Sequence, residues 1–289
     1  MPQEIQDGDA VAFMSRHFVA LTCHYDLRKA DGATERHVVA YSGFVLELHG
    51  AYFWVTAGHC LKKFDELLSF PEVHVCGGGF MDSFGYQAAH TQSVPFRYEP
   101  CCGYYVTQPA DGIDFGLIPL NYLQVRAFLA NKVVPISREN WVHQRELTFD
   151  FYFMLGIPKD RVLTVANPDG SISAQFSPSM IRVNRIGLDD LGEPPSDAEA
   201  PPTAAWFIGH IPPECTIREL GGMSGGPIYG FRRDEKGGLT YHVAALQSRW
   251  WNTRRIVFGC SLPLFAEEVY QELEALIDEF SEEAGRNHQ

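Results

Sequence analysis

Residues 38–60 read VVAYSGFVLELHGAYFWVTAGHC. Val38 to Leu48 and Ala51 to Thr56 alternate apolar with polar or small residues, are rich in β-branched and aromatic side chains, and meet at a Gly-containing turn, so both are read as strands. The second run ends in small residues and then His59, an arrangement that can hold an imidazole at the edge of a cleft. The same strand signal recurs in Glu72 to Cys76, Phe115 to Leu120, Leu147 to Leu155, Ser171 to Phe176, Trp206 to Ile208, Ile228 to Phe231, Tyr241 to Gln247 and Ile256 to Cys260. Many short strands with few helical periods between them predict an all-β sandwich or barrel.

The exception is Leu262 to Ala284, where Leu264, Val269, Leu273, Leu276, Ile277 and Phe280 recur at helical spacing and predict a C-terminal amphipathic helix. From Leu262 to the last residue there are eight acidic side chains and one Arg, read as a solvated face. Gly187 to Thr203 has four Pro, five acidic residues and no Lys or Arg, and is expected to be a mobile surface loop inside the second lobe. The better boundary lies near Asn121 to Trp141. This divides the chain into an N-terminal lobe (1–125), a C-terminal lobe (126–262) and a terminal helix with its tail (263–289).

The chain has 289 residues, 45% hydrophobic and 20% charged, with 26 Gly and 18 Pro, the composition of a globular protein with a full core. A net charge of −13 is the wrong sign for a phosphate backbone, so nucleic acid is excluded as the main partner. The longest apolar candidate, Phe149 to Ile157, is interrupted by Asp150 and too short to cross about 30 Å of hydrocarbon. No membrane partner is expected, and MPQEIQDGDAVAF at the start shows no secretory signal pattern. Seven cysteines, at 23, 60, 76, 101, 102, 215 and 260, are read as mostly reduced thiols, which together with the missing signal points to the cytoplasm. His24 beside Cys23 and His59 beside Cys60 raise a zinc alternative, but no spacing places two ligands on one metal, and no cofactor is expected.

Three segments carry the chemistry. Phe53-Trp54-Val55-Thr56-Ala57-Gly58-His59-Cys60 presents an imidazole; Gly112-Ile113-Asp114-Phe115-Gly116-Leu117-Ile118 places a lone carboxylate at the head of an apolar run, where it needs a hydrogen-bonding partner. Gly221-Gly222-Met223-Ser224-Gly225-Gly226-Pro227 is a Gly-rich turn that can expose a hydroxyl beside backbone N–H groups. Each also has a plain structural reading: a satisfied interior His, a strand-capping Asp, a tight loop. Their joint occurrence in order is what departs from chance.

Together the segments resemble the chymotrypsin/trypsin-like serine protease family, in its bacterial intracellular form, where Thr-Ala-x-His-Cys, Asp-x-Ala-Leu-Ile and Gly-x-Ser-Gly-Gly-Pro segments occur in this order. The resemblance implies two antiparallel six-stranded β-barrels with the active site between them, followed by a C-terminal helix. It implies that Ser224 is the nucleophile, His59 the general base and Asp114 the carboxylate that orients the imidazole, with the N–H groups of Gly222 and Ser224 as the oxyanion hole. Asp111 is a rival for the carboxylate, but only Asp114 directly precedes the strand. The implied activity is that of a serine endopeptidase acting on protein or peptide substrates. A catalytically silent peptide-binding module on the same fold and an esterase are the alternatives.

Three departures qualify the resemblance. Secreted members carry a Cys shortly before the catalytic His that bridges to the Cys after it; here Tyr41 or Ser42 occupies that region, which suits a reducing compartment, with a Cys23–Cys60 disulfide as the alternative. The residue before the nucleophile is Met223, which cannot take the ion pair that orders the active site of the secreted enzymes, so the turn is either ordered as made or ordered by an activating protein partner. The position six residues before the nucleophile, the base of the family's specificity pocket, is Arg218, which would favour acidic side chains unless it pairs with Glu219 or points to solvent. Leu246-Gln247-Ser248-Arg249-Trp250 resembles the strand that pairs with the substrate backbone, with Ser248 as the contact, while Trp250 and Trp251 either wall the cleft or pack beneath it.

Overall fold

The computed structural model describes residues 7–82, 84, 93–97, 99, 103–142, 148–166, 172–196, 203 and 206–286. The first half runs α1 (Asp7–Met14), β1 (Ala20–Arg28), β2 (Thr34–Tyr41), β3 (Phe44–Leu48), β4 (Ala51–Thr56), α2 (Gly58–Ser69), β5 (Val73–Met81), β6 (Val94–Pro95), β7 (Tyr104–Gln108), β8 (Ile113–Pro119) and α3 (Tyr122–Ala130). These strands form two four-stranded antiparallel sheets, ordered β2-β1-β5-β6 and β3-β4-β8-β7. The sheets meet where Phe18 bridges to Phe44, Val19 N–H donates to the Gly43 carbonyl at 3.0 Å, and the Trp54 indole donates to the Val19 carbonyl at 2.9 Å. Among the described residues they are not joined into the single six-stranded barrel that the resemblance implies for this lobe. The edge strand β6 has only two residues, and Pro95 has no N–H to extend the ladder.

The second half does close. β9 (Phe151–Gly156), then a hairpin of β10 (Val162–Ala166) and β11 (Ile172–Phe176), lead to β12 (Ser179–Arg185), β13 (Trp206–His210), β14 (Pro227–Arg233), β15 (Leu239–Trp251) and β16 (Ile256–Ser261). Six of them make a closed barrel in the order β12-β13-β16-β15-β14-β9, with the hairpin standing apart. Closure gives each of the six strands a neighbour on both sides, and the interior fills with Met154, Ile181, Val183, Phe207, Ile228 and Val257. The all-β reading therefore holds.

The strand expected over Val38 to Leu48 is two strands, broken at Ser42-Gly43, and the one expected over Glu72 to Cys76 runs on to Met81. α2 and α3 are helices that the strand-dominated reading did not include. α3 occupies the expected boundary region and starts at a capping box, in which Asn121 Oδ1 accepts from Gln124 N–H and Gln124 Oε1 accepts from Asn121 N–H, both at 3.0 Å. Of the acidic loop, residues 187–196 and 203 are described. They are largely exposed, but Leu191 is buried and its carbonyl accepts from Arg254 at 3.1 Å, so that stretch is anchored; 197–202 lie outside the described residues.

The C-terminal helix α4 (Leu262–Arg286) forms where expected, but its inward face differs by one position. Leu262, Phe265 and Ala266 are buried, with Val269, Tyr270 and Leu273 packed beside them, whereas Leu264 is 46% exposed. Side chains from 276 onward, including Leu276, Ile277 and Phe280, lie outside the described residues. Phe265 stacks on Phe115 of β8 with ring centroids 4.3 Å apart, so α4 leaves the barrel and packs back on the first half. A buried Phe of this kind contributes about 1.5–3 kcal/mol over an exposed one. No helix among the described residues is long and apolar enough to cross a membrane.

Candidate active site

His59 sits in the first turn of α2, directly after β4. Gly58 makes that position reachable: a Cβ there would lie 2.5 Å from the Val106 carbonyl oxygen and 2.8 Å from that of Phe115, so only glycine lets the helix start press onto β7 and β8. Asp114, the second residue of β8, is 2% exposed, and two elements meet at its carboxylate. Oδ1 accepts the His59 backbone N–H at 2.8 Å, and Oδ2 lies 2.6 Å from His59 Nδ1. The Ser248 hydroxyl donates to the same Oδ2. Asp111 is exposed at the end of a short 3-10 turn and takes no part.

The electrostatics follow from these contacts. Burial by itself would raise the Asp114 pKa, but the His59 ring, the Ser248 hydroxyl and the His59 N–H bring it below the ordinary 3.8, so the carboxylate is ionised at neutral pH. For His59, burial works to lower the pKa, and the Asp114 hydrogen bond, the Cys60 sulfur and the Asp114 charge outweigh it and raise the imidazole above 6.5. Cys260 lies behind the carboxylate, and burial followed by the Asp114 charge pushes its thiol well above 9.0, which keeps it neutral.

Ser224 comes from the Gly-rich turn before β14 and is partly exposed, as is His59. Its hydroxyl donates to the Ser248 carbonyl at 3.2 Å; among the described residues it makes no hydrogen bond to His59. Cys60 Sγ stands 3.7 Å from both His59 Nε2 and the Ser224 carbonyl, so imidazole and nucleophile segment flank one sulfur. Gly222 has φ +91, the left-handed region, and a Cβ there would meet the Ile157 carbonyl oxygen at 2.7 Å. The N–H groups of Gly222 and Ser224 have no acceptor among the described residues, which leaves both available to a ligand.

The remaining expected site residues divide. Ser248 lies at a β-bulge of β15, between Gln247 and Arg249, where the register with β16 shifts. The bulge re-aims its side chain, which is 3% exposed and bonded to Asp114, while its carbonyl accepts the Ser224 hydroxyl. Arg218 is exposed and unpaired among the described residues; the Glu219 carboxylate accepts the Gly221 N–H at 3.0 Å instead. Trp250 is partly buried and packs with Cys215 and Ile217 on the barrel cluster that includes Leu220 and Met223, while Trp251 is buried edge-on against Phe258. Sequence reasoning missed the Ser248 hydroxyl as the partner of Asp114.

Cys23, Cys60, Cys76, Cys215 and Cys260 are free, so no Cys23–Cys60 bridge exists; Cys101 and Cys102 lie outside the described residues. Among the described residues no group of three or more His, Cys, Asp or Glu could hold a metal ion.

No family model matches the sequence, and no curated protein matches it. Solved structures do match. A thermostable serine protease, AL20, from an extremophilic microorganism is 15% identical with a TM-score of 0.44, covering 90% of this chain and 97% of that one. A Glu endopeptidase in complex with MPD is 14% identical with a TM-score of 0.44, covering 87% and 90%. The protease Anisep from Arthrobacter nicotinovorans is 15% identical with a TM-score of 0.38, covering 85% and 90%. Among the described residues the chain has a closed six-stranded antiparallel barrel, two four-stranded sheets and a C-terminal helix, with His59 and Asp114 on elements of the first half and Ser224 on the turn before β14.

Proposed function

We propose that the protein is a serine endopeptidase that hydrolyses peptide bonds through Ser224, His59 and Asp114. The observation that carries this reading is the buried Asp114 carboxylate, which grips His59 by both its ring Nδ1 and its backbone N–H. An ionised acceptor at Nδ1 keeps the proton there and leaves Nε2 free to accept another. The Ser224 hydroxyl turns from the Ser248 carbonyl toward Nε2, and its oxygen bonds to the scissile carbonyl carbon as its proton passes to His59. The carbonyl oxygen, now an anion, is taken up by the Gly222 and Ser224 N–H groups; losing one such donor costs about 100- to 1,000-fold in turnover. His59 then gives its proton to the departing amine, leaving an acyl-enzyme, and water activated by the same imidazole releases the acid and restores Ser224.

The resting Ser224 contact, with Ser248 and not with His59, favours a second reading, a peptide-binding module on the same fold. A fluorophosphonate probe separates the two. Covalent labelling of the wild type, absent in His59→Ala, supports the endopeptidase; an unlabelled wild type that is folded, alone and in cell lysate, supports the binder. Labelling only in lysate would mean that a protein partner is needed. Ester and peptide libraries then divide esterase from peptidase. A reducing compartment is part of the proposal, supported by the five free cysteines and by the thiol beside His59.

The pH profile follows from the sign of the His59 shift. Protonated imidazole cannot accept the Ser224 proton, and Asp114 favours the protonated form, so kcat/KM is expected to rise with pH to a midpoint above 6.5. A pH–rate profile with its midpoint at or below 6.5 would contradict this coupling.

A further inference from the structure

The oxyanion turn needs its peptide planes held in one orientation, and Met223 cannot do this by charge: it is 0% exposed and packed in the apolar barrel cluster. The contacts around it show what holds each plane. The plane that carries the Gly222 N–H has its carbonyl, that of Gly221, bonded to Lys159 N–H at 2.6 Å. The plane that carries the Ser224 N–H has its carbonyl, that of Met223, bonded to Gly226 N–H at 2.9 Å. Between them, the Gly222–Met223 plane has its carbonyl bonded to the Ser42 hydroxyl at 2.7 Å, while its N–H donates to the Leu220 carbonyl at 3.0 Å.

Two of the three carbonyls are thus held by backbone and one by a side chain. Ser42 is completely buried, lies in the break between β2 and β3, and reaches 180 residues along the chain to this contact. Its oxygen also accepts the Ile157 N–H at 3.0 Å, so donor and acceptor are both used and the hydroxyl direction is fixed. Its carbonyl accepts the Thr56 hydroxyl at 2.8 Å, which ties it to the strand leading to His59. The held plane follows a glycine at positive φ, where rotation of a peptide meets little steric resistance unless its polar groups are bound.

We propose that Ser42 is the positioning residue of the oxyanion hole: its hydroxyl, given by one lobe, clamps the Gly222 carbonyl of the other and orders the turn without N-terminal cleavage or an ion pair. This rests on the endopeptidase reading for its catalytic consequence, but the clamp itself is a separate structural claim. With Ser42 in place the isolated protein needs no activating partner.

Ser42→Ala removes the clamp, and Ser42→Cys keeps a weaker donor and acceptor at the same place and guards against a variant that fails to fold. Labelling rate and kcat should fall about 10- to 1,000-fold in Ser42→Ala, up to the loss of one oxyanion donor. Ser42→Cys should fall in between. KM and the pH midpoint should stay near wild type, because the His59–Asp114 pair is untouched. A purely structural role would instead lower the melting temperature while each folded molecule labelled at the wild-type rate, and that result would overturn the proposal. Crystal structures of both variants supply a readout independent of activity: a rotated Gly222–Met223 peptide in Ser42→Ala supports the clamp, and an unchanged one refutes it. If the wild type does not label at all, the endopeptidase reading fails, and these structures still decide the clamp.

Discussion

Ser224→Ala is expected to lower peptide turnover by about a million-fold, and adding His59→Ala to cost almost nothing more, because nucleophile and base act as one unit. The structure supplies the reason for the non-additivity. His59 is held by Asp114 whether or not Ser224 is present, but an imidazole with no hydroxyl to deprotonate contributes little. What should survive is the acceleration from the Gly222 and Ser224 N–H groups and from substrate binding, both of which Ser224→Ala leaves in place. Single-turnover rates on one peptide, for the two single variants and the double, check this. Additive losses would mean that His59 and Ser224 serve separate steps and that the proposed mechanism is wrong.

Asp114→Asn should cost about ten-thousand-fold in turnover with little change in fold. An amide can still accept the His59 backbone N–H, but it can also donate to Nδ1, which puts the ring proton on Nε2 where the Ser224 proton must go. The same change removes the charge and the hydrogen bond that raise the imidazole, while burial, which lowers it, remains. The midpoint of the pH profile is therefore expected to move down as the plateau falls. A loss of rate with an unmoved midpoint would show that Asp114 acts on the reaction by some route other than His59.

The sequence made some of this legible and concealed the rest for definite reasons. His59, Asp114 and Ser224 each lie in a short contiguous segment that has a plain structural reading of its own, and it is the three together, in order, that single them out without tertiary knowledge. Ser248 and Ser42 matter through contacts set by irregularities: a bulge in β15 that turns one hydroxyl onto Asp114, and a strand break that points the other at Gly222. A period-2 pattern says which face of a regular strand a residue occupies, and it fails where the strand is irregular. The Asn121-x-x-Gln124 box is a local helix start that a strand-dominated reading of this region does not take up. In α4 the apolar pattern gave the helix but admitted Leu264 to its inner face, since a Leu after a Pro at the first turn fits either side. The six-stranded barrel expected for the first lobe is what the resemblance implies; among the described residues its strands stand as two four-stranded sheets, one of them ending in the two-residue β6 with Pro95.

The stacking of Phe265 on Phe115 has a consequence for the order of events during synthesis. Phe115 follows Asp114 directly, and its outer face has no cover until a residue 150 positions later has been translated and has left the ribosome. The nascent chain thus carries His59, Asp114 and Phe115 long before the ring that stacks on Phe115 exists, and Ser224 some 40 residues before it. A chain that stops short of Phe265 leaves the Phe115 ring, next to Asp114 in β8, without its stacking partner.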